Sequence, residues 1–361
     1  VCETAPDCAK DMTSEGLDLF VDGDTIGARG TTLGGDDGIA VPISLAILDA
    51  DDIPHPPLEV VLTVDEETGM LGAEALDASL LQGRTMLNLD SEDEGILTVS
   101  CAGGAHAAAH IEMHANECAL DSAEIRISGL KGGHSGAEID KGRANSSMLL
   151  GRVLCALEQK TPLRVISVSG GLKDNAIPTA SVALVAADAG AVQAVCAEMD
   201  AAFKKEYRVN DPAITVSARP AESSLLPMDE ASSRSAVCLL ACLPNGIQAM
   251  SADMPGLVQT SLNLGILTTG DDAVHASFSV RSSVATQKQM LIDRLRCLTE
   301  SLGGSVSTHG EYPGWEFMPQ SPLRDLMVQV FTDQYGYAPK VEAIHAGLEC
   351  GLFSAKLPGL D

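Results

Sequence analysis

The sequence predicts an α/β domain interrupted by an inserted α+β domain made of two related halves. Three observations predict it. Residues 1–99 alternate apolar strand-like runs with helical patterns. The style shifts after Cys101-Ala-Gly-Gly104, where strand, helix, paired strands, helix and strand follow one another and then largely repeat. After Tyr312-Pro-Gly-Trp315 the α/β style resumes. The expected division is therefore 1–100, 101–311 and 312–361.

In the first part, Gly30-Thr-Thr-Leu-Gly-Gly-Asp-Asp-Gly38 precedes a helical pattern from Ile39 to Leu48, with Pro42 tolerated in the first turn. Leu58 to Val64 reads as a buried strand ending in Asp65, Glu66 and Glu67, and Thr85 to Leu89 as a second one ending in Asp90-Ser-Glu-Asp-Glu-Gly95. In the insert, Ser122 to Ser128 is a strand. Ala144 to Gln159 is an amphipathic helix with Met148, Leu149, Val153, Leu154 and Leu157 at helical spacing. Leu163 to Gly170 and Ala180 to Ala186 are strands, and Ala191 to Tyr207 is a helix. The second half echoes the first: helix Glu230 to Leu243, a hairpin of Val258 to Thr268 and Ala273 to Val280 across Gly270-Asp271, and helix Thr286 to Leu302. A helix near Leu323 to Tyr335 follows.

Composition narrows the function. The 361 residues carry a net charge of −27, which argues against nucleic acid and anionic membrane surfaces as partners. No apolar stretch approaches the roughly 20 residues of a membrane-spanning helix, and nothing at the start resembles a signal peptide; a cytoplasmic protein is expected. The 10 cysteines are scattered without zinc-finger spacing, which fits reduced thiols better than a disulfide framework, and Cys238 and Cys242 read as packing residues.

The acidic clusters carry the chemistry. Adjacent carboxylates at the mouth of a buried strand are costly unless a cation sits there, and ligands of open α/β sheets bind at the carboxyl ends of strands. Clusters at Asp36-Asp37, Asp65-Glu66-Glu67 and Asp90 to Glu94, each at the end of a β/α element, point to a metal with a general base beside it. The glycine-rich Gly132-Gly-His-Ser-Gly136 is not a phosphate loop, because no Gly-Lys-Ser/Thr follows and Lys131 comes too early. His106, His110 and His114 stand four apart; they form one face of a helix or of a strand, and a metal strip is one reading of them.

Six motifs, GTTLGGDDGIA, LTVDEETG, LNLDSEDEG, GLKGGHSG, YPGW and IHAGLECGLF, occur in this order over nearly the whole chain. Together they resemble the aminoacyl-histidine dipeptidase (Xaa-His dipeptidase, cytosolic non-specific dipeptidase) family, of the di-zinc superfamily that includes carnosinases, aminoacylases and carboxypeptidase G. The resemblance implies a zinc-peptidase-like catalytic domain with the insert as its lid, two divalent metal ions (zinc, with manganese or cobalt as alternatives), a small peptide substrate and a homodimer. It assigns Asp36 as the carboxylate bridging two metals about 3.5–4 Å apart, Glu67 and Asp90 as ligands, and Glu66 as the general base. A base must stay off the metal to take a proton from the bridging water. His134 matches a lid histidine that steadies the developing oxyanion. Asn175 and Arg281 resemble substrate-binding lid residues, a guanidinium being suited to a terminal carboxylate. His345 and Glu349 would line the cleft; by its charge alone, Glu349 is a candidate to hold the free α-amino group. Asp37 would serve the helix start, and Glu92, Asp93 and Glu94 a solvated turn. No ligand of the family falls on the His106 to His114 run.

The family also has two histidine ligands, one in a His-x-Asp motif before the position of Val1 and one in a His-(Ser/Thr)-Pro segment after that of Asp361. Neither is present, so the catalytic domain reads as truncated at both ends. The chain as written is expected to bind metal poorly and to turn over little, since imidazole is a preferred zinc ligand. Within hydrolases, an N-acyl amino acid amidohydrolase or a carboxypeptidase is the alternative. Outside them it is a metal-free peptide-binding relative, and a nucleotide-binding α/β protein lacks its phosphate loop.

Overall fold

The computed structural model describes the chain except for Val1, Cys2, Glu67, Thr68 and Glu92, and except for the side chain of Asp36. The first part holds a hairpin, β1 (Leu19–Asp22) and β2 (Thr25–Ala28), then α1 (Gly35–Gly38), α2 (Ala40–Asp49), α3 (Leu71–Ala75) and β3 (Ile96–Cys101). Next come β4 (Gly103–Glu112), β5 (Ser122–Ser128), β6 (Gly133–His134), α4 (Ser146–Glu158), β7 (Arg164–Gly170), β8 (Ala176–Ile177), β9 (Ser181–Ala186), α5 (Ala189–Glu206) and β10 (Thr215–Pro220). They are followed by α6 (Glu230–Cys242), β11 (Gly246–Met250), β12 (Val258–Thr269), β13 (Ala273–Ser282), α7 (Ala285–Ser301) and β14 (Ser305–Tyr312). The chain closes with α8 (Pro322–Tyr335), β15 (Lys340–Ile344) and α9 (Glu349–Lys356).

Nine strands form one antiparallel sheet in the order β10-β5-β9-β7-β12-β13-β4-β14, with β11 on β12. The order is palindromic about the β7/β12 junction. Apart from the short β6, β8 and β11, the two sides run as β5-α4-β7-β9-α5-β10 and β4-α6-β12-β13-α7-β14. The strand β4 precedes the whole first half, so the first half is inserted between β4 and the rest of the second half, and the shared sheet ties them together. The helix spacing read from the sequence is realised: Leu149, Val153, Leu154 and Leu157 of α4 are buried in a core shared with Ile125, Val165, Val185, Leu264 and Phe278. At roughly 25 cal/mol per Å2 of apolar surface removed from water, this core is the main stabilising term of the unit. Asn145 caps α4 from within that core. Its Oδ1 accepts from the backbone N–H of Ser147 (3.0 Å) and Met148 (3.2 Å), and its Nδ2 donates to Asn263 Oδ1 (3.1 Å) and the Leu264 carbonyl (2.8 Å) on β12.

Leu58 to Val64 and Thr85 to Leu89 are not the buried strands expected. Neither is in a ladder among the described residues, and Leu58, Val60, Leu62, Val64, Leu87 and Leu89 are exposed. An apolar run becomes a buried strand only when neighbours bond its edges and cover its faces. Here the neighbouring contacts are isolated: the Glu59 carboxylate accepts from Gln82 N (2.9 Å) and Gly83 N (2.7 Å), and Met86 N donates to Asp361 O (2.8 Å). A second, smaller core joins this region to α9 through Met70, Ala73, Leu352 and Phe353. The chain crosses between the sheet and this region twice, side by side. Cys101 N donates to Trp315 O and Trp315 N to Cys101 O, both at 3.0 Å. The Lys288 ammonium clasps both passages, donating to Gly104 O (3.1 Å) and Tyr312 O (3.0 Å).

Candidate active site

Three of the expected site residues meet around Gly136. A β-carbon built there would lie 2.6 Å from His345 O, 3.1 Å from Arg281 Nε and 3.1 Å from His134 Cε1. Only glycine allows this approach, which accounts for the last glycine of the Gly-Gly-His-Ser-Gly motif.

His134 ends β6, paired with Ala176 of β8. Its Nδ1 accepts from the backbone N–H of Gly136 (3.1 Å) and Ala137 (3.0 Å). The neutral ring therefore carries its proton on Nε2, where it is a donor. Burial, then the Arg281 charge, hold the imidazole below its usual pKa, against the opposing effect of Glu138. A neutral Nε2–H donor is the state an oxyanion needs.

Arg281 lies on β13, opposite Ser261 of β12 and Gly104 of β4. It is 8% exposed. Its Nη1 donates to the Tyr312 hydroxyl at 3.1 Å, while Nε is buried without a partner. No carboxylate among the described residues pairs with it. A buried guanidinium left so is costly, and the cost is removed by an anionic ligand. Glu349, the first residue of α9, likewise has a buried, unpartnered Oε1, and so has the Ser135 hydroxyl beside His134.

His345 follows β15 and is buried, its Nε2 2.7 Å from Ser261 Oγ. Burial, and then the Arg281 charge, push its pKa from 6.5 down to about 4. The folded protein thus binds fewer protons here than the unfolded chain between those values, so stability rises with pH across this window. We expect His345 to cost about 3 kcal/mol of stability as pH falls from 6.5 to 4. Urea unfolding at pH 7 and pH 4.5 should show that His345→Gln shrinks the pH-dependent loss by about 2 kcal/mol. An identical loss in both proteins would mean that His345 keeps an ordinary pKa.

The remaining expected residues are placed less closely. Asn175 brings its carbonyl to Ser135 N (2.9 Å), but its side chain is exposed. Glu66 is half-buried in a loop flanked by Asp65 (φ 57°) and Met70 (φ 58°), both left-handed and both non-glycine. Such strain persists only where the surroundings impose it; here Gly72 N closes the loop on Val64 O (2.9 Å). Asp90 is half-buried beside a cleft of about 730 Å3 that is also lined by Asn88, Val99, Trp315, Leu348 and Cys350. Asp36 is in α1, but its side chain, like Glu67 and Glu92, lies outside the described residues. No group of three or more His, Cys, Asp or Glu able to hold a metal occurs among the described residues.

The His106 to His114 run resolves into a strand. His106 and His110 share one face of β4, His106 2.7 Å from Asp174 and His110 Nδ1 2.6 Å from His275 Nδ1, while His114 lies beyond the strand. Two residues that sequence reasoning missed are Ser261 and Tyr312. Tyr312 had a signal in Tyr-Pro-Gly-Trp, which served as a boundary and as one of the six family motifs but was given no site role; Ser261 had none.

An antiparallel sheet unit is thus clasped onto a smaller α/β region, with the buried Arg281 guanidinium and the low-pKa imidazoles of His134 and His345 close to where they meet. Residues 125–211 match the peptidase dimerisation domain of the M20 peptidases. The chain is 34% identical over 360 residues to the cytosol non-specific dipeptidase of Escherichia coli K12, covering 98% of this chain and 74% of that one. The crystal structure of aminoacylhistidine dipeptidase from Vibrio alginolyticus superposes with a TM-score of 0.94 at 34% identity, over 99% of this chain and 74% of that one. The uncharacterized protein YqjE of Bacillus subtilis is 28% identical over 180 residues, 46% of this chain and 43% of that one. The chain belongs to the cytosol non-specific dipeptidase (aminoacylhistidine dipeptidase) family of M20 peptidases. No described helix is long and apolar enough to cross a membrane.

Proposed function

We propose that this protein hydrolyses unblocked dipeptides, Xaa-His among them, in the cytoplasm and as a homodimer. The observation that carries the reading is Arg281: a guanidinium buried with an unpartnered Nε is a site waiting for a carboxylate. In this reading Arg281 holds the terminal carboxylate and Glu349 the free α-amino group, with Asn175 and His345 lining the same space. His134 donates its Nε2–H to the carbonyl oxygen as that oxygen becomes an oxyanion. Glu66 takes the proton of the attacking water and returns one to the leaving amine. Residues 101–311 act as the lid that excludes bulk water over residues 1–100 and 312–361.

Family membership implies divalent metal ions. Asp36, Glu67 and Asp90 are the residues that would hold them; as an all-oxygen set they suit manganese as well as zinc, and two zinc ions remain our proposal. A bound metal would supply the acidity of the attacking water.

The test is a substrate panel on metal-loaded protein: a free dipeptide, its N-acetyl form and its C-terminal amide, each with and without chelator. Slow hydrolysis, confined to the free dipeptide and lost on chelation, is expected. Preference for the N-acetyl form would favour an N-acyl amino acid amidohydrolase. Binding without hydrolysis would favour a non-catalytic peptide binder.

A further inference from the structure

We propose that Tyr312 is a positioning residue for Arg281, and that its hydroxyl sets the preference for a free carboxylate. The inference rests on the reading of Arg281 given above.

A long arginine side chain has many rotamers, and in a site that must recognise a carboxylate something has to hold it. The hydrogen bond to Tyr312 Oη, at 3.1 Å, does so from the Nη1 end and leaves Nε for the ligand. Tyr312 is itself well anchored. Its ring fills the space of a side chain at Gly104, where a β-carbon would lie 2.4 Å from Cζ and Oη. It also covers Gly347, where a β-carbon would lie 2.7 Å from Cε2. Its carbonyl is held by Lys288, and its ring packs on the smaller core that contains Met70.

Met70 reaches the same Gly347, its Cε 3.3 Å from the built β-carbon, and its N–H donates to Glu66 O at 2.8 Å. A short series of contacts thus runs from the Glu66 loop through Met70, Gly347 and Tyr312 to Arg281. Within this series the anchored phenol is the link that holds the guanidinium. The hydroxyl therefore ties the carboxylate clamp on the sheet to the loop that carries the base.

The experiment is calorimetric titration of a dipeptide whose amide is replaced by CH2–NH, and of its C-terminal amide, into wild type, Tyr312→Phe and Arg281→Met. Phenylalanine keeps the ring over Gly104 and removes only the hydroxyl. Wild type should prefer the carboxylate about 100-fold, Tyr312→Phe about tenfold, and Arg281→Met not at all, with the amide bound equally by all three. A wild-type preference retained in Tyr312→Phe but lost in Arg281→Met overturns the inference and leaves the Arg281 reading standing. Equal weakening of both ligands in Tyr312→Phe makes the residue structural and also overturns it. No preference in wild type sinks the Arg281 reading and the inference with it.

Discussion

Arg281→Met is expected to raise KM for free dipeptides about 100-fold while leaving the unliganded protein as stable as wild type, or more so by about 1–3 kcal/mol. The opposed signs come from one observation. In the unliganded protein Arg281 is buried, with the Tyr312 hydroxyl as its side-chain partner and Nε unsatisfied. A charge taken from water with so little in return costs several kcal/mol, and an apolar side chain of similar length relieves that cost. With a carboxylate bound, the same guanidinium makes charge-assisted hydrogen bonds, and the mutant forfeits them. Steady-state kinetics and urea unfolding on one preparation check both halves. An unchanged KM would remove Arg281 from substrate binding. Marked destabilisation would show that the guanidinium is satisfied without ligand.

Glu66→Gln is expected to lower kcat about 1000-fold with KM and metal affinity nearly unchanged. The amide matches the carboxylate in size but cannot take a proton. Two backbone hydrogen bonds close this segment without the Glu66 carboxylate, Met70 N donating to Glu66 O (2.8 Å) and Gly72 N to Val64 O (2.9 Å), and the substitution leaves both in place. Parallel loss of rate and of bound metal would make Glu66 a ligand and exchange its role with that of Glu67.

Helices and paired strands of the large sheet were legible because their signals are local. The apolar residues of α4 recur at helical spacing and are buried, and the β12/β13 hairpin falls on its Gly270-Asp271 turn. The runs Leu58 to Val64 and Thr85 to Leu89 misled because hydrophobicity marks a segment that wants neighbours without showing which neighbours it has. Most of their side chains are exposed, while Val61 and Met86 pack against the smaller core. The His106 to His114 spacing was ambiguous for a related reason: four-residue spacing satisfies helix and strand alike, and the ladders with β13 and β14 decide for the strand.

Of the candidate site, the sequence by itself determined the chemical inventory: the acidic clusters, the glycine-flanked His134, and Arg281, His345 and Glu349 as candidates on the strength of family motifs. Only the tertiary structure decided which of them touch. Sheet register sets Arg281 opposite Ser261, and Ser261 then receives His345 from beyond β15. The second crossing of the chain brings Tyr312 beside Gly104 and under the Arg281 guanidinium. Burial then takes a proton-binding imidazole down to a pKa of about 4 and leaves the Arg281 guanidinium without a carboxylate partner among the described residues. Spacing along a chain reports neighbours a turn or a strand pair away. Charge state and partner depend on what is packed around a group, and that is set by segments tens to hundreds of residues distant.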